Sequence, residues 1–144
     1  MSAFFVLETA GNFSYTYDDE GNRNAVSNGT STARYTVNPT SSLSQVLVRE
    51  KNGKTTYYVY GYGLISEETN GKTLTYHFDV RGSTVAITNE SGRVTDTFTY
   101  DAYGNELNRE GNTDTPFRYC GAYGVQTDDN FVLSVQQRLL NLWR

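Results

Sequence analysis

The stretch Tyr76–Leu107, YHFDVRGSTVAITNESGRVTDTFTYDAYGNEL, decides how the rest of the chain reads. It holds one unit twice, as Tyr76-x-Phe78-Asp79-x-x-Gly82 and as Phe98-x-Tyr100-Asp101-x-x-Gly104. In an extended strand residues i and i+2 point to the same face, so both aromatics of a unit can stack on one neighbouring surface. Asp ends the strand because its short side chain bonds to the backbone of a following turn. Glycine then accepts the positive φ that tight turns need. A further copy, Tyr15-x-Tyr17-Asp18-x-x-Gly21, lies earlier in the chain. An aromatic strand and a sharp turn, recurring along a chain, predict a β repeat array. No catalytic site comes with that pattern.

Turn signals extend outward from this stretch in both directions. Asn52-Gly53 and Asn70-Gly71, each between β-rich runs, are strong hairpin signals. Glu90-Ser91-Gly92 marks a further turn, and the glycines at 53, 71, 82, 92 and 104 give the spacing of a continuous meander. Within the strands, Leu74, Tyr76 and Phe78 share one face and Thr75 and His77 the other. Val94, Phe98 and Tyr100 likewise oppose Thr95, Thr97 and Thr99. Met1–Leu7 reads as one apolar strand, Asn24–Ala33 as a polar loop, and Asn38-Pro39-Thr40 as a turn. Beyond Gly104, Thr115–Tyr119 reads as one more strand, broken by Gly121 and Gly124. The apolar stretch 131–144 differs in kind, and its Val135, Leu139 and Leu142 suit a short amphipathic helix.

Composition agrees with a β protein and excludes several functions. The chain has 144 residues, 14% aromatic and 19% charged, with 13 glycines and 2 prolines, which favours short strands and tight turns. A net charge of −4 argues against nucleic acid as a partner, because phosphate binding needs a basic face. No apolar run reaches the twenty or so residues that span a bilayer. Phe4–Leu7 is too short for a signal peptide and lacks a basic flank. A single cysteine, Cys120, leaves no internal disulfide, and zinc-type spacing is absent.

These units resemble the YD repeats of Rhs proteins, and the order of motifs resembles the Rhs repeat-associated core. The resemblance rests on Tyr57-Tyr58-Val59-Tyr60-Gly61, Leu64-Ile65-Ser66, Tyr76–Thr84, Phe98–Gly104 and Pro116–Gly121, and is strongest over 35–130. Related repeats occur in toxin-complex shells, wall-associated polymorphic toxins and teneurins. The resemblance implies a YD-repeat region over 1–130 and a divergent apolar tail over 131–144. It implies an all-β fold: an antiparallel meander of short hairpins in a curved sheet, a fragment of a β shell. It also implies a non-enzymatic structural module of a secreted or cell-surface bacterial protein, whose partners are the rest of the parent shell and a C-terminal toxin cargo. The open edges of a short sheet predict self-association as well.

Sharper roles for single residues weigh less than structural ones. Asp18-Asp19 and Asp128-Asp129 suit turns better than acid/base catalysis, since adjacent strand residues point apart. His77 has no second histidine to share a metal with, and Cys120 lies in no nucleophile signature. Gly61-Tyr62-Gly63 lacks the third glycine of a dinucleotide fingerprint. Neither metal, cofactor nor catalytic residue is therefore expected. The alternative to a shell fragment is a surface module that binds glycans or proteins, with Tyr57, Tyr58 and Tyr60 stacking on sugar rings.

Overall fold

The computed structural model describes residues 9–10, 12–19, 22–38, 45–127 and 133–134. Gly21, the Met1–Leu7 strand, the turn at Pro39, Asp128-Asp129 and the helical spacing at Val135, Leu139 and Leu142 lie outside the described residues. Eleven strands form one sheet: β1 (Thr9–Ala10), β2 (Phe13–Tyr17), β3 (Arg23–Ser27), β4 (Thr32–Asn38), β5 (Gln45–Lys51), β6 (Lys54–Tyr60), β7 (Leu64–Thr69), β8 (Lys72–Phe78), β9 (Thr84–Thr88), β10 (Val94–Tyr100) and β11 (Glu106–Glu110). Strand order is chain order, so the sheet is an antiparallel meander. The chain divides within β6 into two compact units, the second running from Tyr58 to Val135.

The Asp-x-x-Gly units build one kind of hairpin. In each, the residue before Asp pairs six residues ahead: Tyr17 with Arg23, Phe78 with Thr84, Tyr100 with Glu106. A register shift precedes that residue every time, so the second aromatic sits at a β-bulge. Asp79 Oδ1 accepts hydrogen bonds from the amides of Arg81 (2.9 Å) and Ser83 (3.0 Å). The Gly82 amide closes onto Asp79 O at 3.0 Å, with Gly82 at φ +82°. Asp101 repeats this with the Tyr103 and Asn105 amides at 2.8 and 2.9 Å, and the Asn105 side chain adds a bond that, with these amides, holds its carboxyl below the usual range. Asn89 makes the same bonds to Ser91 and Arg93, and Thr88 pairs with Val94 at the same spacing. The unit therefore recurs where the sequence shows neither Asp nor an aromatic pair. Asn supplies the same carbonyl oxygen to the turn.

The second kind of hairpin is the two-residue turn. Asn52-Gly53 and Asn70-Gly71 have φ values of 54° and 75°, and 54° and 76°, closing Lys51 onto Lys54 and Thr69 onto Lys72. Positive φ at both central residues matches the right-handed twist of the flanking strands.

Period-two alternation holds around Tyr76 and Phe78 in β8 and from Asp96 to Tyr100 in β10, whereas Val94, set off by a register shift before Asp96, is exposed and does not share the face of Phe98 and Tyr100. Tyr76 and Phe78 stack with ring centroids 6.1 Å apart and planes 7° from parallel, and Phe98 and Tyr100 with 6.4 Å and 5°. Ile87 and Phe98 are fully buried on this face. Among the described residues of the first unit the buried apolar ones are Tyr15, Ala25, Val26, Ala33, Tyr35 and Val46.

Two further expectations are corrected. Asn24–Ala33 is not a loop: most of it belongs to β3 and β4, joined at a turn where Asn28 Oδ1 accepts the Thr30 and Ser31 amides. Its polar composition conceals Ala25, Val26 and Ala33, small enough to be buried without an obvious apolar run. Thr115–Tyr119 is not a strand. Pro116 offers no N–H, and the segment makes isolated bonds to β9 rather than a ladder. Leu133–Ser134, within the apolar tail, is extended and pairs with Gln126–Thr127 as a separate two-stranded sheet, β12 with β13. Among the described residues the one helical piece is a 3-10 turn, Gly121–Tyr123.

Gly53→Ala puts a methyl group into open space but into the left-handed region, so it is expected to cost about 1–2 kcal/mol by backbone strain alone. The urea midpoint of the variant, measured at unchanged m-value, checks this.

Candidate functional site

The most chemically organised part of the described chain is the aromatic face of the second unit, with the segment Thr113–Thr127 strapped across it. Phe117 is fully buried, with its ring edge-on to Tyr58 at 5.0 Å and 87°. Burying a phenyl ring contributes about 1.5–3 kcal/mol, and such a ring pair about 0.5–1.5 kcal/mol more. Tyr119 meets Tyr100 at 5.8 Å, and the Arg81 guanidinium lies 5.6 Å from the Tyr119 ring centre. The strap's backbone is tied to β9 and the turn before it. The Thr84 amide donates to Arg118 O, Thr84 Oγ1 donates to Phe117 O, and the Ala122 amide donates to Gly82 O.

The repeat glycines have a second duty here. A Cβ on Gly104 would lie 2.8 Å from the Tyr119 ring, and one on Gly82 would collide with the Tyr123 ring. Gly63 has the Ala122 carbonyl against it, so that a Cβ would stand 2.6 Å away. Real Cβ atoms do not approach so closely. Both repeat glycines are therefore fixed twice, by positive φ and by the ring that lies on them.

Buried polar side chains pin the strap. A chain of hydrogen bonds runs from the Phe117 amide to Thr115 Oγ1 (3.1 Å), from Thr115 to Tyr76 Oη (2.6 Å), and from Tyr76 Oη to Glu67 Oε1. Burial first, and the Glu67 charge second, push the Tyr76 phenol well above its ordinary value, so it stays protonated and donates. Asp96 is 1% exposed on the same face as Phe98. Its carboxylate accepts from the Thr113 amide (2.9 Å), Thr113 Oγ1 (2.5 Å), Thr95 Oγ1 (2.7 Å) and Arg109 Nη2 (3.2 Å). Burial raises the Asp96 carboxyl, but the Thr113, Thr95 and Arg109 bonds outweigh it and hold the group below the usual carboxylate range. Gly111 leaves room for this cage, since a Cβ there would come within 2.6 Å of Asp96 Oδ2. Arg118 completes the set, bonding Glu106 at 3.1 Å and the Thr115 carbonyl at 3.0 Å. Such an arrangement holds a segment in place. The Asp96 and Glu67 carboxylates are occupied as acceptors and the Tyr76 phenol is held protonated.

The expected site residues divide between this face and elsewhere. Tyr76, Phe78, Phe98, Tyr100, Asp79, Asp101, Gly82 and Gly104 are brought together at the strap and its adjoining turns. Tyr15, Tyr17 and Asp18 form the corresponding turn of the first unit, where Asp18 Oδ1 accepts the Asn22 amide at 2.9 Å and Arg23 lies over Tyr15 at 5.1 Å. Tyr57, Tyr58 and Tyr60 do not share one face. Tyr58 is buried under Phe117 and Tyr57 is 53% exposed, as alternation along β6 requires. His77 is exposed and bonds Thr88 Oγ1 at 2.8 Å. Cys120 precedes the 3-10 turn in the left-handed region (φ 52°), and its amide donates to Ser83 Oγ. Gly61-Tyr62-Gly63 is the turn between β6 and β7. Among the described residues no three His, Cys, Asp or Glu side chains are grouped to hold a metal ion, and no helix is long and apolar enough to cross a membrane. Sequence reasoning missed Asp96, Glu67, Thr113, Thr115, Arg109 and Arg118. The one available signal for Asp96 was its place between Val94 and Phe98, a charge at an apolar position of the alternation.

No family profile matches the chain. The chain is similar to the tRNA3(Ser)-specific nuclease WapA of Bacillus spizizenii, with 32% identity over 113 residues that make up 74% of this chain. It spans only 5% of that protein. Among solved structures, a chain in the crystal structure of TcdB2–TccC3–Cdc42 superposes over 84% of this chain with a TM-score of 0.58 and 14% identity, and the match is 7% of that chain. That likeness is one of fold.

Two results are expected. Gly104→Ala should destabilise by about 1–3 kcal/mol beyond Gly53→Ala, because it adds a clash with Tyr119 to the same backbone strain. In a Tyr119→Ala background the excess should vanish, a coupling that a double-mutant cycle in urea reads directly. The second concerns acid. Because the folded Asp96 carboxyl is depressed, its contribution to stability is present above the unfolded value near 4 and is lost as pH falls through the lower folded value. Asp96→Asn should therefore flatten the fall in melting temperature between about pH 5 and pH 2.

Proposed function

We propose, for a chain that is an Rhs/YD-repeat module, that it serves as a wall segment of a larger β shell and carries no catalysis of its own. The observation that carries this reading is the repeated turn with a strap closed over it. Among hairpins added in chain order the Asp-x-x-Gly turn design recurs, and the aromatic face of the second unit is sealed by the chain's own Thr113–Thr127. The polar groups of the sealed face serve to anchor the strap. A single hairpin buries little, so such a sheet gains stability by continuing into neighbouring repeats.

Both similarities support the larger context. The chain corresponds to a small part of a long protein named as a nuclease, and in fold to a small part of a chain crystallised as TcdB2–TccC3 with Cdc42. The parent shell would enclose a C-terminal toxin and deliver it from a secreted or wall-attached bacterial protein. Toxicity would then lie in the enclosed domain and not in these strands.

The test is to read the gene on both sides of this segment, express the encoded protein whole, and image it by electron microscopy with limited proteolysis alongside. A closed shell whose C-terminal domain resists protease until the shell is opened is the expected result. An extended sheet with a C-terminal domain cleaved at the rate of the free domain would overturn the reading.

A further inference from the structure

We propose that Asn70 is a site of spontaneous deamidation, the fastest of three graded by their turns, and that it ages the hairpin carrying Glu67 and Tyr76. Three Asn-Gly pairs occur in the chain, Asn28-Gly29, Asn52-Gly53 and Asn70-Gly71. Glycine following asparagine leaves the attacking amide unhindered, so all three start chemically alike. Their turns differ.

The reaction is an intramolecular acyl transfer. The Gly71 amide nitrogen, having lost its proton to base, attacks Asn70 Cγ. A C–N bond forms, the side-chain nitrogen leaves as ammonia, and a five-membered succinimide results. Water then opens the ring at either carbonyl to give aspartate or isoaspartate. Only water is consumed, since the proton that the base removes is returned to the departing nitrogen. The side-chain carbonyl must be free to swing toward the backbone, and the following amide must be free of other partners.

At Asn28 both groups are held. Its Oδ1 accepts from the Thr30 amide, Thr30 Oγ1 and the Ser31 amide at 3.0, 3.0 and 2.8 Å, and the Gly29 amide donates to Ser27 Oγ at 3.2 Å. At Asn52 one group is held, since Ser31 Oγ donates to its Oδ1 at 2.8 Å. Asn70 is exposed at the tip of its hairpin, and no described residue holds its side chain or the Gly71 amide. A hairpin tip is also where the backbone opens at least cost, which the attack requires because Asn70 must leave the left-handed region. The expected order of rates is Asn70, then Asn52, then Asn28.

The product matters because of where the turn lies. Isoaspartate inserts a methylene into the main chain between Thr69 and Lys72, which the two-residue turn closes as a pair. Glu67 pairs with Leu74 on the same hairpin, and Tyr76 lies two residues further along β8. A disturbed register there loosens the bonds that anchor the strap, and it does so with time.

The experiment incubates the purified chain at mildly alkaline pH and follows the three peptides by mass spectrometry, with a urea-unfolded sample alongside. Similar rates at all three sites in urea, and in the folded protein a rate at Asn70 on the order of tenfold above Asn28, the factor that one or two net hydrogen bonds supply, support the proposal. Ser31→Ala should raise the Asn52 rate toward that of Asn70. Any other order in the folded chain, or no product at Asn70 while the unfolded sample reacts, overturns it.

Discussion

Everything in the second unit depends on a carboxylate that turns back on its own chain. Asp79 and Asp101 each receive two backbone amides of the turn they begin, and each turn ends in a backbone bond from the Asp amide to the residue four ahead, Ser83 or Asn105. These amides have no ladder partner, because the strand has stopped, and unpaired they would each cost about 1–3 kcal/mol if buried. Satisfying them locally lets the chain reverse within five residues and return in register. A bulge precedes each turn at the second aromatic, whose ring lies nearly parallel to the first. Turn chemistry thus sets the position of the aromatic face.

A face built this way has to be covered. Rings such as Tyr76 and Phe98, 4% and 2% exposed, are buried in part because the strap crosses them. The strap is irregular, so its backbone groups find partners one at a time, in Thr84, Gly82 and Ser83. Its carboxylate and hydroxyl anchors supply direction as well as energy. Asp96 accepts four bonds, which defines one position for Thr113, where a greasy contact alone would tolerate several.

Much of the sheet was legible in the sequence because it is a local matter. Asn52-Gly53 and Asn70-Gly71 specify their hairpins through the conformations that Asn and Gly accept, and Tyr76 with Phe78 shares a face by the geometry of any strand. Where local signals were weak, the reading failed. Asn24–Ala33 looked like a loop because its buried residues are alanine and valine among polar neighbours, and Asn89 was passed over because it lacked the aromatics of the other units.

The sequence alone determined that this is an antiparallel array of hairpins with the Asp-x-x-Gly turn as its repeat, since strand alternation and turn chemistry act over a few residues. Only the tertiary structure decided what that array encloses. Thr115 reaching Tyr76 across 39 positions, Thr113 reaching Asp96 across 17, and Tyr119 lying on Gly104 are contacts between segments that no local rule connects. The physical reason is that a buried carboxylate or phenol is tolerated only where distant donors and acceptors converge on it. Those partners come together when the strap folds back over the sheet.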